Sequence, residues 1–130
     1  MHMNFNDCAC SGSTLDRFVR PTVMAVLARN PEGLHGYLLA QQLRKVAFFA
    51  NCSPDTTGLY RVLKAMEMEG YLTSDWDVEG SGPARRVYAL TETGRDCLRQ
   101  WAGTLERYAH NLDQTLEYIE RSLNKDSAAV

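Results

Sequence analysis

The chain has 130 residues, 45% of them hydrophobic and 23% charged, with a formal net charge of -2. That is enough chain for one packed core and too little for a TIM barrel or a large two-domain enzyme, and the composition excludes disorder throughout and collagen-like or mucin-like character. No run approaches the roughly 20 apolar residues that span a bilayer, and the first ten residues lack a basic-then-apolar signal pattern, so a cytoplasmic protein with no membrane partner is expected.

Residues 1–13 carry no periodicity and are expected to form a flexible arm. The arm holds Cys8 and Cys10, which with Cys52 and Cys97 are too few and too unevenly placed for a disulfide scaffold and are expected to be thiols. Cys8-Ala9-Cys10 can offer two thiolates to a metal or iron–sulfur site, or act as a redox pair, but no spacing rule joins them to His2, Cys52 or Cys97 as further ligands. No cofactor and no metal are expected, with Cys8 and Cys10 as the candidates should one bind.

Ser13 or Thr14 can cap a first helix from about Leu15, whose Phe18, Val19, Val23, Val26 and Leu27 share one face. Pro21 within it either kinks the helix or marks a second start. Asn30-Pro31-Glu32-Gly33 reads as a turn. A second helix is expected over 36–49, burying Leu38, Leu39 and Leu43, with Tyr37 packed in the core by its ring. The third has the clearest start, with Ser53 as cap, Pro54 at the first helical position and Asp55 at the positive end, and Gly70 as its stop. Leu59, Val62, Leu63 and Met66 form its apolar face. Thr57, Tyr60, Arg61 and Lys64 recur on the other face at spacings of three and four and should emerge together.

Two strands follow, over 71–76 and 85–90, around a glycine-rich tip. Tyr88 is expected to pack with its hydroxyl exposed, and Asp75 and Asp77 to lie near the strand end without a partner base. Isolated His35 and His110 read as surface or turn residues, and Cys97 as a small packing residue. Thr91 can cap a last helix over 92–123. Its apolar stripe, Leu98, Trp101, Leu105, Tyr108, Leu112, Leu116, Ile119 and Leu123, steps by threes and fours like a coiled coil and is surplus for a monomer. The organisation is therefore an arm (1–13), a DNA-binding domain (14–91), a dimerisation helix (92–123) and a frayed tail (124–130).

The expected fold is mainly α with a small β-hairpin, in the order helix, helix, helix, hairpin, long helix: a winged helix-turn-helix with a long C-terminal dimerisation helix. Such a domain lays its third helix in the major groove and its hairpin on the flanking backbone. The charges agree locally. Over 15–50 the basic residues Arg17, Arg20, Arg29, Arg44 and Lys45 face only Asp16 and Glu32, whereas the segment after Trp101 is acidic. The candidate DNA contacts are Thr56, Thr57, Tyr60, Arg61, Lys64, Arg85 and Arg86; the two wing arginines can meet phosphates bidentately. The candidate dimer interface is Leu98, Trp101, Leu105, Tyr108, Leu112, Leu116 and Ile119, and Trp101 is the candidate effector-binding residue. No nucleophile elbow, P-loop, dinucleotide fingerprint or zinc-protease motif is present, so no enzyme is expected.

Gly36-Tyr37, Gly58-Leu59-Tyr60-Arg61-Val62-Leu63, Met66-Glu67-Met68-Glu69-Gly70-Tyr71-Leu72 and the wing Gly82-Pro83-Ala84-Arg85-Arg86-Val87-Tyr88-Ala89-Leu90-Thr91-Glu92-Thr93-Gly94 together resemble the PadR family. The likeness covers roughly residues 20–123 and is most specific in the wing. It implies a bacterial transcriptional regulator, mostly a repressor in this family, that dimerises through its C-terminal helix; a single long helix resembles the shorter branch. The family's Gly-Thr-Leu-Tyr stands here as Thr57-Gly58-Leu59-Tyr60, which carries the threonine's polar role to Thr57. The cysteine-bearing arm has no counterpart in the pattern.

The expected function is thus a repressor that binds a pseudo-palindromic operator as a homodimer and is released by a small aromatic or apolar effector. Two alternatives are a thiol- or metal-responsive regulator sensing through Cys8 and Cys10, and a winged-helix protein-interaction module, for which acidic Asp75, Asp77 and Glu79 on the wing speak.

Overall fold

The structure, a computed structural model, describes residues 16–46, 56–80 and 82–128, and it divides into two compact units, Met1–Leu98 and Arg99–Val130. Cys8, Cys10, Ser13, Thr14, Leu15, Cys52, Ser53, Pro54 and Asp55 lie outside the described residues.

In the first unit a 3-10 turn over Asp16–Phe18 precedes α1, Val19–Ala28. Pro21 therefore marks a fresh start, not a kink: it stands in the first turn, where a missing N–H leaves no helical bond unmade. After the turn comes a two-residue strand, β1, Leu34–His35, which sequence periodicity did not disclose. Gly33, at φ +92°, makes the turn possible, and a Cβ there would come within 2.7 Å of Val87 Cγ1.

Helix α2, Gly36–Leu43, is shorter than the expected 36–49. It closes into tight turns, with the Lys45 N–H donating to the Gln42 carbonyl at 3.1 Å and that of Val46 to Leu43 at 3.1 Å. Leu39 and Leu43, one turn apart, are buried, whereas Leu38 and Tyr37 are 41% and 68% exposed, contrary to expectation. In two turns of helix only the Leu39–Leu43 side faces the core, so the ring of Tyr37 stays outside, its hydroxyl accepting from Gln41 Nε2 at 3.1 Å.

Helix α3, Thr56–Met68, buries Leu59, Leu63 and Met66, with Val62 only half-buried. It ends as expected at Gly70, whose φ of +88° needs glycine. The Gly70 N–H donates to Glu67 and the Tyr71 N–H to Met66, the paired bonds that satisfy a helix's last carbonyls.

Strands β2, Leu72–Asp77, and β3, Arg85–Leu90, form the hairpin, and β1 adds to the other edge of β3, in the order β1-β3-β2, all antiparallel. The register sets Leu34 and Ser74 beside Tyr88, and Trp76 opposite Arg86. Side chains alternate along a strand, so Leu34, Leu72, Ser74, Trp76, Arg86, Tyr88 and Leu90 share one face, while His35, Asp75, Asp77, Arg85 and Val87 share the other. The first face closes on Val23, Met24 and Leu27 of α1, Leu39 and Leu43 of α2, and Leu59, Leu63 and Met66 of α3, all nearly inaccessible. Burial of each such side chain contributes roughly 1.5–3 kcal/mol. The result is the winged helix-turn-helix that the sequence predicts, with a third strand.

Thr91 caps the last helix, α4, Glu92–Ala128. Its hydroxyl accepts from the Gly94 N–H at 3.0 Å and donates toward the Gly70 and Tyr71 carbonyls at 2.7 and 3.0 Å, tying the start of α4 to the end of α3. The helix passes its expected end at Leu123, so the residues expected to fray are helical as far as Ala128. Arg121 donates to Glu117 one turn back.

In the second unit Trp101 is half-buried, while Leu105, Tyr108, Leu112, Leu116, Ile119 and Leu123 are all exposed. Leu98, the last residue of the first unit, is half-buried. Among the described residues no helix is long and apolar enough to cross a membrane.

Candidate nucleic-acid interface

Burial of Leu59, Leu63 and Met66 turns Thr57, Tyr60, Arg61 and Lys64 outward together, as their spacing predicts. The side chain of Thr56 lies outside the described residues. Arg61 and Lys64 meet no carboxylate within ion-pair distance among the described residues. Tyr60 is 42% exposed and packs by its phenol end on the backbone of Gly36. Gly36 opens α2 after extended His35, and the absence of a side chain there lets the ring in.

Between the start of α2, α3 and the wing runs a cleft of about 700 Å³, lined among others by Tyr37, Tyr60, Trp76, Arg85, Arg86 and Tyr88. Rings and guanidinium groups make it both stacking and cationic, a surface suited to a sugar-phosphate chain. Burial pushes the Tyr88 hydroxyl above its ordinary pKa, so it stays protonated in the cleft wall. The residue as a whole is 6% exposed, in keeping with the expected packed ring.

The two wing arginines occupy different settings, because consecutive strand residues point to opposite faces. Arg85 is exposed on the outer face. Arg86 stands over the Trp76 ring, 5.1 Å from its centroid, donates through Nε to Ser74 Oγ at 2.8 Å, and lies 3.9 Å from a Glu67 carboxylate oxygen. The Ser74 hydroxyl in turn donates to Glu67. Trp76, 59% exposed, escaped the sequence reading. Its signal was there: counting by twos from Leu72 places it on the helix-facing side of the hairpin.

His35 and Asp77, read from sequence as unpartnered, in fact join. His35 Nε2 lies 3.0 Å from Asp77 Oδ2, linking β1 to the end of β2 across β3. The backbone N–H of Glu79 and then His35 hold the Asp77 carboxyl below its usual range, with Arg85 contributing. Sequence distance hid this pair; the sheet brings it together. At the far end of the domain Arg20 of α1 donates to both oxygens of Glu69 at 2.6 and 3.2 Å, which lowers the Glu69 pKa. Cys97 is a half-buried thiol, as its packing role predicts. Among the described residues no group of three His, Cys, Asp or Glu side chains could hold a metal ion.

The sequence profile described as "Transcriptional regulator PadR-like family" matches residues 23–100. A PadR family transcriptional regulator of Eggerthella lenta is 25% identical, with 88% of this chain and 98% of that one covered and a TM-score of 0.66. A PadR family transcription regulator of Clostridium difficile is 23% identical over 76% of this chain and 98% of that one, with a TM-score of 0.64. Bacillus subtilis PadR, solved in complex with operator DNA, is 22% identical over 66% of this chain and 46% of that one, with a TM-score of 0.57. A comparison with curated proteins gives no match. With the winged-helix core described above falling almost wholly inside the matched segment, the chain belongs to the PadR-like family of transcriptional regulators.

Proposed function

We propose that the chain is a repressor that binds a pseudo-palindromic DNA operator as a homodimer and leaves it when a small aromatic or apolar effector binds. The observation that carries the DNA reading is the outward face of α3, where Thr57, Tyr60, Arg61 and Lys64 stand together with both cations unpaired by carboxylates among the described residues. In this reading Arg61 and Lys64 meet base edges and phosphates in the major groove, and Arg85 meets the flanking phosphates from the wing. A fold likeness to the Bacillus subtilis protein solved with operator DNA supports the same partner.

The exposed stripe of α4 supports the homodimer. Leu105, Leu112, Leu116 and Ile119 leave apolar surface in water along one line of the helix, and pairing with the same stripe of a second copy removes it. Two copies fit half-sites about 34–36 Å apart, so an effector that alters their pairing changes affinity for the operator. Trp101, the one large flat side chain of the stripe near the winged domain, is the residue on which such a molecule stacks.

Selection of bound duplexes from a random pool, followed by sequencing, tests the whole reading. Recovery of an inverted repeat with half-sites one helical turn apart is the expected result. Recovery of no enriched sequence contradicts it.

A further inference from the structure

A polar tie joins the wing to α3. Glu67, the last residue but one of α3, receives the Ser74 hydroxyl of β2 on one carboxylate oxygen. Its other oxygen lies 3.9 Å from the Arg86 guanidinium of β3. Arg86 also donates to Ser74 at 2.8 Å and covers the Trp76 ring at 5.1 Å. One guanidinium is thus held from a helix, from the neighbouring strand and by an aromatic face, at the wall of the cleft.

A guanidinium so held differs from a free one in two respects. Part of its charge is offset by Glu67, and its position is fixed by three partners, so it cannot follow a phosphate wherever one stands. Phosphate contacts add affinity without reading sequence. A mobile arginine at this point of the cleft would strengthen binding to every duplex alike, and a held one does so less. We infer that Glu67 is a specificity-determining, positioning residue: it holds Arg86 on Trp76 and thereby keeps down sequence-independent DNA binding. This rests on the DNA-binding reading above.

The test uses the full chain and a 30-base-pair duplex of mixed sequence, with affinity measured over a range of salt concentrations. Glu67→Gln is expected to tighten binding about five- to ten-fold at low salt and to steepen the log–log salt dependence by about 0.9, the increment of one added phosphate contact. Loss of a negative charge alone would also favour DNA, so two comparisons separate the causes. In an Arg86→Gln background, Glu67→Gln should change affinity less than about two-fold and leave the slope alone. Asp75→Asn, which removes a charge from the other face of the hairpin, should likewise leave the slope alone. Arg86→Gln by itself should reduce the slope by less than Arg85→Gln does, since a held arginine is the weaker phosphate contact; this arm stands even where Glu67→Gln does not fold. A Glu67→Gln effect that persists without Arg86, an equal slope change in Asp75→Asn, or a slope reduced in Arg86→Gln as much as in Arg85→Gln overturns the inference while leaving the proposed function intact. A parent chain that binds no duplex at any salt overturns both.

Discussion

The phenol end of Tyr60 occupies the space that a side chain on Gly36 would need: a Cβ built there stands 2.6 Å from the Tyr60 hydroxyl oxygen. The contact fixes the direction of a residue on the outward face of α3 by means of the first residue of α2. Gly36→Ala should displace the ring, which is free to swing because it is 42% exposed. The cost to stability should be near the low end of overpacking, about 1 kcal/mol. DNA affinity should fall further than Tyr60→Phe makes it fall. Equal affinities for Gly36→Ala and the parent would show that the direction of Tyr60 does not matter to binding.

Gly94 presents the opposite case. A Cβ there would run into the backbone carbonyl of Tyr71, which cannot swing aside, as well as into the end of the Leu90 side chain. Gly94→Ala must push the start of α4 away from the end of α3 and break the Thr91 cap. A loss of about 3 kcal/mol is expected, read as a lower urea midpoint with an unchanged slope. A midpoint within error of the parent's would mean that α4 starts elsewhere.

Acid should weaken the domain at two identified places. Asp77 is lowered by the Glu79 N–H and by His35, and Glu69 by Arg20. Both carboxyls therefore titrate lower when folded than when unfolded. Their contribution is present above the ordinary carboxylate pKa, near about 4, and is lost as pH falls through their lower folded values. The urea midpoint of the parent should drop between pH 6 and pH 3 more than that of a double variant, Asp77→Asn with Glu69→Gln. Parallel drops would place the acid sensitivity in other groups.

The homodimer has its own test at the exposed stripe of α4. Leu112 is 67% exposed in the single chain, so Leu112→Asp should leave the fold untouched and set a charge in the proposed seam. Sedimentation at micromolar concentration should give a dimer for the parent and a monomer for the variant. A variant that still dimerises places the interface elsewhere.

Sequence periodicity disclosed most of the fold, for reasons visible at single residues. Leu59, Leu63 and Met66 repeat with the helical period, which located both the core face of α3 and its outward face. Gly70 and Thr91 announce a helix end and a helix start by local chemistry alone. What stayed hidden depends on pairing between distant residues. Leu34–His35 is a strand only because β3 lies beside it. His35 and Asp77 meet through the sheet, and Glu67 and Arg86 through the packing of α3 beside it, and neither pair leaves a local trace. The exposure of Tyr37 and Leu38 follows from where α2 stops, and an apolar run does not say that. The differing roles of Arg85 and Arg86 could have been read from strand alternation, since neighbours on a strand cannot share a face.

The central claim, that α3 and the wing form the DNA-reading surface, is tested most directly by Arg61→Ala and Arg85→Ala against a selected operator duplex and a mixed-sequence duplex over a salt series. Arg61→Ala should cost about 1–3 kcal/mol on the operator and little on the mixed duplex, relaxing specificity, whereas Arg85→Ala should weaken both alike and reduce the salt slope by about one. Binding that neither substitution changes, on either duplex, would contradict the account.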